Sequence, residues 1–187
     1  DNFNLIETKL DKIENKILGT AASIISSGDK YLWDGINGRY YVFNPSFRTD
    51  VARRDKLVEV YVERFKNTNF KGQYIFLTGD DLGKKNLVFF IALLSDVKKK
   101  LRRNLNINDI IEIKEIDKPS AIEQEMYIGT FRNEKKAIFE IRESYYDDNS
   151  GSPNYYFVFK DENIINEFIN KHFEHAWRNS TKVNLNL

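Results

Sequence analysis

The chain has 187 residues with 29 Lys+Arg against 28 Asp+Glu, a formal charge of +1, so no global field steers it toward nucleic acid or anionic lipid. It contains no Cys and only 2 His, which excludes disulfides, thiolate zinc sites, a cysteine nucleophile and a His-rich metal centre. With 41% hydrophobic residues, 14% aromatics and only 3 Pro, it is long enough and apolar enough for one folded domain with at most an appendage.

No basic start followed by an apolar run precedes the body of the chain, which begins with Asp1 and therefore reads as a piece of a longer protein. Phe3, Ile6, Leu10, Ile13 and Ile17 recur at alternating steps of three and four, the seam of a coiled coil, and Ile24 continues the register. Residues 1–20 are expected to form a connecting or dimerising helix, and residues 21–187 a single α/β domain. The plainer alternative is an amphipathic helix packed on its own domain. Gly19 and the Ser26-Ser27-Gly28-Asp29 cluster end the segment.

The aromatic stretch from Tyr31 to Phe43 surrounds Asp34-Gly35 and Asn37-Gly38, dipeptides that tolerate positive φ, and predicts a hairpin or an ordered loop. Asp50 is placed to cap a helix running to about Phe65, with Leu57, Val58, Tyr61, Val62 and Phe65 on one face. Gln73 to Thr78 reads as a strand, Lys84 to Leu105 as a long helix and Asp109 to Ile116 as a second strand, the βαβ pattern of an α/β sheet. The apolar run Leu87 to Leu94 has about half the length needed to cross a bilayer. Further strands are expected near Met126 to Phe131, Ala137 to Arg142 and Tyr155 to Phe159, the last as a central strand buried on both faces. Asp161 then caps a helix carrying Ile164, Ile165, Phe168, His172, Phe173 and Trp177. The fold class expected is a mixed sheet flanked by helices, with an N-terminal amphipathic helix.

Three constellations carry weak chemical signals. Gly79-Asp80-Asp81-Leu82-Gly83-Lys84 joins a strand to a helix but matches no phosphate loop, and its acids are read either as a cap or as a magnesium pair. Lys98 to Arg103 forms a basic strip without interleaved aromatics, a solvated helix face or a few phosphate contacts. His172 and His175 lack the i, i+4 spacing of zinc helices and a third ligand, so at least one is expected to pack or cap.

A fourth constellation is Asn133-Glu134-Lys135-Lys136-Ala137-Ile138-Phe139-Glu140 entering a strand, followed by a helix ending Phe173-Glu174-His175-Ala176-Trp177-Arg178-Asn179-Ser180. Over about the last 110 residues this resembles the second half of a phospholipase D-like unit, with its H-x-K-x4-D motif and an aromatic Phe-x-x-x-Trp-x-x-Ser closing helix. The resemblance implies that Lys135 matches the phosphate-binding lysine, that Glu140 replaces the aspartate and that Asn133 replaces the nucleophilic histidine. An amide neither attacks phosphorus nor accepts a proton as imidazole does, so no catalytic residue, metal or cofactor is expected. The other reading of Asn133-Glu134-Lys135-Lys136 is a polar hairpin turn.

Together these features predict a regulatory or ligand-sensing domain of a soluble, cytoplasmic protein, without hydrolase activity of its own. A small anionic ligand would be held by Trp33, Arg39, Tyr40, Arg48, Asn133 and Lys135, with Trp33 or Tyr40 offering a stacking face. A homodimer is expected, with neither membrane nor nucleic acid as partner. The alternatives are a metal-dependent phosphodiesterase or nuclease using Asp80 and Asp81, and a pure dimerisation module.

Overall fold

The computed structural model describes residues 35–45, 47, 54–101, 106–117, 125–131, 133–141 and 155–185. The coiled-coil-like helix of residues 1–20, the Asp50 cap, Trp33 and Arg48 lie outside the described residues. Strand β1 is Ile36–Phe43, helix α1 is Arg54–Lys66, β2 is Lys71–Leu77 and α2 is Asp81–Leu101. After a 3-10 turn at Ile107–Asp109 come β3 (Ile111–Ile116), β4 (Glu125–Phe131), β5 (Glu134–Ile141) and β6 (Tyr155–Phe159). Helices α3 (Glu162–Glu167) and α4 (Glu174–Arg178) run on through a π-helical stretch, Phe168–Phe173, and β7 is the short Thr181–Lys182.

The seven strands form one sheet in the order β6-β5-β4-β1-β2-β3-β7. β1, β2 and β3 are parallel, linked through α1 and α2, while β4, β5, β6 and β7 add antiparallel pairs. The α/β class with a mixed sheet is therefore the observed one.

Two expectations are corrected. The segment at Ile36 to Phe43 is one central strand rather than a hairpin, pairing β2 on one side and β4 on the other. Asn37-Gly38 makes a bulge inside it: the register with β4 shifts between Asn37 and Tyr41, and Gly38 takes φ 75°. Among the described residues the apolar run Tyr155 to Phe159 is the edge strand β6, with β5 as its one strand neighbour. Its aromatic sequence signals burial of a face and carries no information about how many neighbours it pairs with.

Side-chain alternation along the central strands fills two cores. Tyr40, Val42, Tyr74, Phe76, Ile111 and Ile113 pack under α1 and α2, whose apolar faces supply Leu57, Tyr61, Phe65, Leu87, Phe90 and Leu94. Phe43, Ile75, Met126, Ile128 and Ala137 pack under the C-terminal helix through Ile165, Ile169, Phe173 and Ala176. Asp161 caps that helix as predicted, its Oδ1 accepting from the amides of Asn163 and Ile164 at 2.9 and 3.1 Å.

Candidate anion-binding face

Residues that alternate with the core positions decide what each sheet face shows. Arg39 precedes Tyr40, so when Tyr40 turns into the core beneath α1, Arg39 lies on the opposite face, where it is exposed. Lys71 is its direct partner across the parallel β1–β2 pair. On β4 and β5, Thr130 and Lys135 are paired and share the face of Ile128 and Ala137, the face that the C-terminal helix partly covers. The structure thus places two of the expected anion ligands, Arg39 and Lys135, on one face of four adjacent strands, in a staggered row: Arg39 is opposite Lys71, while Lys135 and Thr130 line up with Asn37, two residues before Arg39.

Around this row stand the amide and carbonyl oxygens that accept from its lysines, aromatic rings and one acid. Lys135 donates to Oδ1 of Asn166 on α3 at 2.7 Å, tying the strand to the helix. Lys71 Nζ donates to the carbonyl of Asp109. Gln73, the partner of half-buried Tyr41, extends the row upward, and Tyr41 meets Phe173 edge to face with ring centroids 5.0 Å apart. Further along the same face Lys114 lies over the Trp177 ring at 4.4 Å and donates to its carbonyl at 2.9 Å. Glu112, directly opposite Gln73 on β3, has Lys182 at 3.9 Å. No carboxylate among the described residues pairs with Arg39 or Lys71.

The other expected ligands fall elsewhere. Tyr40 is 1% exposed and packs edge to face on Tyr74 and Phe131, with the Arg64 guanidinium 5.1 Å from its ring. Burial pushes its phenol well above the ordinary range, against the opposing pull of Arg64. It is a core residue and shares no face with Arg39. Asn133 adopts φ 69° in the tight turn between β4 and β5, the polar hairpin reading of that segment, and is exposed.

The remaining constellations resolve as structural features. Asp80 caps α2, its Oδ1 accepting from the Gly83 amide at 2.7 Å. Among the described residues no group of three or more His, Asp or Glu could hold a metal ion. Lys99 and Lys100 of the basic strip pair with Asp96 and Glu59, and Arg102 and Arg103 lie outside the described residues. His172 is exposed beside the Phe168 ring, and exposed His175 meets the Asn179 amide at 3.3 Å. A cleft of about 360 Å³ past the end of β3 is lined by Glu115, Ile116, Asp117, Asn179 and Thr181. Its two acids give it the opposite charge preference to the Arg39 row.

Sequence reasoning missed Lys71 and Thr130 because their place in the row depends on strand pairing, which is non-local. The expected strand begins at Gln73, whereas β2 begins at Lys71. The one available signal was alternation, since Lys71 and Gln73 are polar positions preceding the apolar Tyr74 to Leu77.

No helix among the described residues is long and apolar enough to cross a membrane. No family model matches the chain, and no curated protein does. Among solved structures the fold is similar to that of TrmBL2, an archaeal chromatin protein, with a TM-score of 0.51 and 14% identity. That match covers 86% of this chain and 51% of the other, so this chain spans about half of its neighbour's length. At that identity the likeness establishes a shared fold.

Proposed function

We propose that this chain is a ligand-sensing, regulatory domain of a larger soluble and cytoplasmic protein, in form a phospholipase D-like module without hydrolase chemistry of its own. The observation that carries the reading is the row of Arg39, Lys71 and Lys135 on one sheet face, beside the C-terminal helix. Cations gathered on a rigid sheet suit recognition of a small anion, and a helix tied to that sheet suits readout of its presence. Nothing in the row is a nucleophile with an adjacent base.

The similar solved structure is described as a chromatin protein with a novel mode of DNA binding. A sensing domain of this fold accords with service in such a nucleic-acid-binding protein, here joined through the N-terminal segment to another domain or to a second copy. The test is a thermal-shift panel of nucleotides, sugars, sugar phosphates and duplex DNA, with light scattering on the same samples. A saturable rise in Tm with one small-molecule class supports sensing, since a ligand stabilises the folded state by RT ln(1 + [L]/Kd). A stable dimer with no shift for any probe would replace this reading with a dimerisation module.

A further inference from the structure

Arg39 and Lys71 occupy directly opposed positions on adjacent strands, about 4.8 Å apart along the sheet. Like charges so placed destabilise a sheet, and neither has a carboxylate partner among the described residues. Thr130 on β4 stands opposite Asn37, two residues before Arg39 on β1, and Lys135 on β5 stands opposite Thr130, about 10 Å from β1. Gln73, one pleat above Lys71, adds an amide donor. Glu112, opposite Gln73 on β3, is the acid on this stretch of sheet and has Lys182 at 3.9 Å, so the Arg39–Lys71 pair is left as two cations side by side, neither with a carboxylate ion-pair partner among the described residues.

We infer that the Arg39–Lys71 pair, with Thr130 and Gln73, is a recognition site for a phosphomonoester group, and that Lys135 reports its occupancy to the C-terminal helix. The inference rests on the sensing role proposed above and names its ligand class. A phosphomonoester carries close to two negative charges at neutral pH and three acceptor oxygens, which matches two cations and two neutral donors. A carboxylate would neutralise only one member of the pair. Arg39 presents a planar fork suited to two phosphate oxygens, whereas Lys71 acts as a point charge. Lys135 is held at present by Asn166 on α3, so an anion beside Thr130 competes with that amide for the ammonium. Occupancy would thereby weaken the tie between β5 and the helix, giving a route from ligand to helix position.

The test measures Tm and calorimetric binding of inorganic phosphate, glucose 6-phosphate, AMP, acetate, glucose and a single-stranded oligonucleotide, for the natural chain and for Arg39→Gln, Lys71→Gln and Arg39→Lys. The expected result is saturable binding of both monoesters, weakened about tenfold or more by Arg39→Gln and by Lys71→Gln, and partly restored in Arg39→Lys. In phosphate-free buffer Arg39→Gln should leave Tm unchanged or raise it, because it removes one of two opposed cations. Asn166→Ala should tighten monoester binding, because it frees Lys135. A Tm lowered by Arg39→Gln without ligand would make Arg39 a structural residue and overturn the inference. So would monoester binding indifferent to both Gln variants, or binding of the oligonucleotide alone with a steep salt dependence. If acetate or glucose binds saturably and the monoesters do not, the phosphate inference fails while the sensing role stands. If no small molecule binds, both fail.

Discussion

Close approach of backbone to backbone fixes two glycines in the loop that carries the acid pair. A Cβ on Gly83 would sit 1.5 Å from the Leu77 carbonyl oxygen, and one on Gly79 would sit 2.1 Å from that of Asp117. Both are backbone oxygens, which cannot swing aside as the end of a flexible side chain does. Gly83→Ala is therefore expected to destabilise the fold by about 3 kcal/mol, read as a lower urea midpoint with unchanged slope. Titratable groups give a second expectation at this scale. Hydrogen bonds from Arg54, at 2.6 and 3.1 Å, hold the Asp96 carboxyl below its usual 3.8, and Lys136 and Lys160 hold Glu134 below its usual 4.5. Depressed carboxylates stabilise the fold above their unfolded values and lose that contribution as pH falls through the folded ones. Stability should thus decline below about pH 4.5, and Arg54→Ala should flatten the part of that decline due to Asp96. The alkaline side has the opposite sign. Burial raises the phenols of Tyr40 and Tyr74 above 10.0, so the unfolded chain releases their protons first and stability falls as pH rises past 10. Tyrosinate absorbance should therefore appear for these two only together with loss of the native circular dichroism.

Helix α2 is the element most committed to the core. Phe90 is fully buried and its ring meets those of Phe47, Tyr61, Tyr74 and Phe76, with centroids 4.7 to 5.6 Å away. Phe90→Ala would leave a cavity among rings fixed by the sheet, and about 3–5 kcal/mol of stability should be lost, measurable by denaturant titration. The C-terminal helix is built differently. Its π-helical stretch, Phe168–Phe173, carries the apolar series Ile165, Ile169, Phe173 and Ala176 across the sheet and leaves Trp177 over Lys114. A π-turn holds one residue more than an α-turn, so deleting exposed Asn170 would convert the stretch toward α-helix and leave the residues after it near their present faces. That change should leave Trp177 beside Lys114 and alter stability by less than about 1.5 kcal/mol, with unchanged tryptophan emission as the direct readout. A one-residue deletion on a solvated α-helical face without such a stretch would lack this compensating geometry.

For the whole molecule, a net charge of +1 hides an uneven distribution. The face with Arg39, Lys71 and Lys135 gathers cations, while the cleft past β3 presents Glu115 and Asp117. Anionic ligands should accordingly find the first and avoid the second, and raising ionic strength should weaken small-anion binding moderately. A double variant Glu115→Gln with Asp117→Asn is expected to leave that binding unchanged, because the cleft lies toward the other ends of the parallel strands. Calorimetry on this variant checks the assignment of the site to one face.

The sequence by itself determined the elements. Period-3.6 spacing over Leu57 to Phe65 placed α1, alternation over Ile111 and Ile113 placed β3, and Asp161 marked the start of α3, because these signals lie within a few residues of one another. The βαβ reading of β2, α2 and β3 followed from their order. The tertiary structure decided what local signals do not encode: that Asn37-Gly38 bulges within a strand instead of turning a hairpin, and that Tyr155 to Phe159 lies at an edge. Strand pairing joins residues far apart in the chain, and hydrophobicity reports burial of a face without naming the neighbour that buries it. The candidate site divides along the same line. Arg39 was legible as a cation beside stacking aromatics and Lys135 through the resemblance that matched it to a phosphate-binding lysine, but their common face, the partnership of Arg39 with Lys71 and the withdrawal of Tyr40 into the core were set by register, since a shift of one residue exchanges the two faces of a strand.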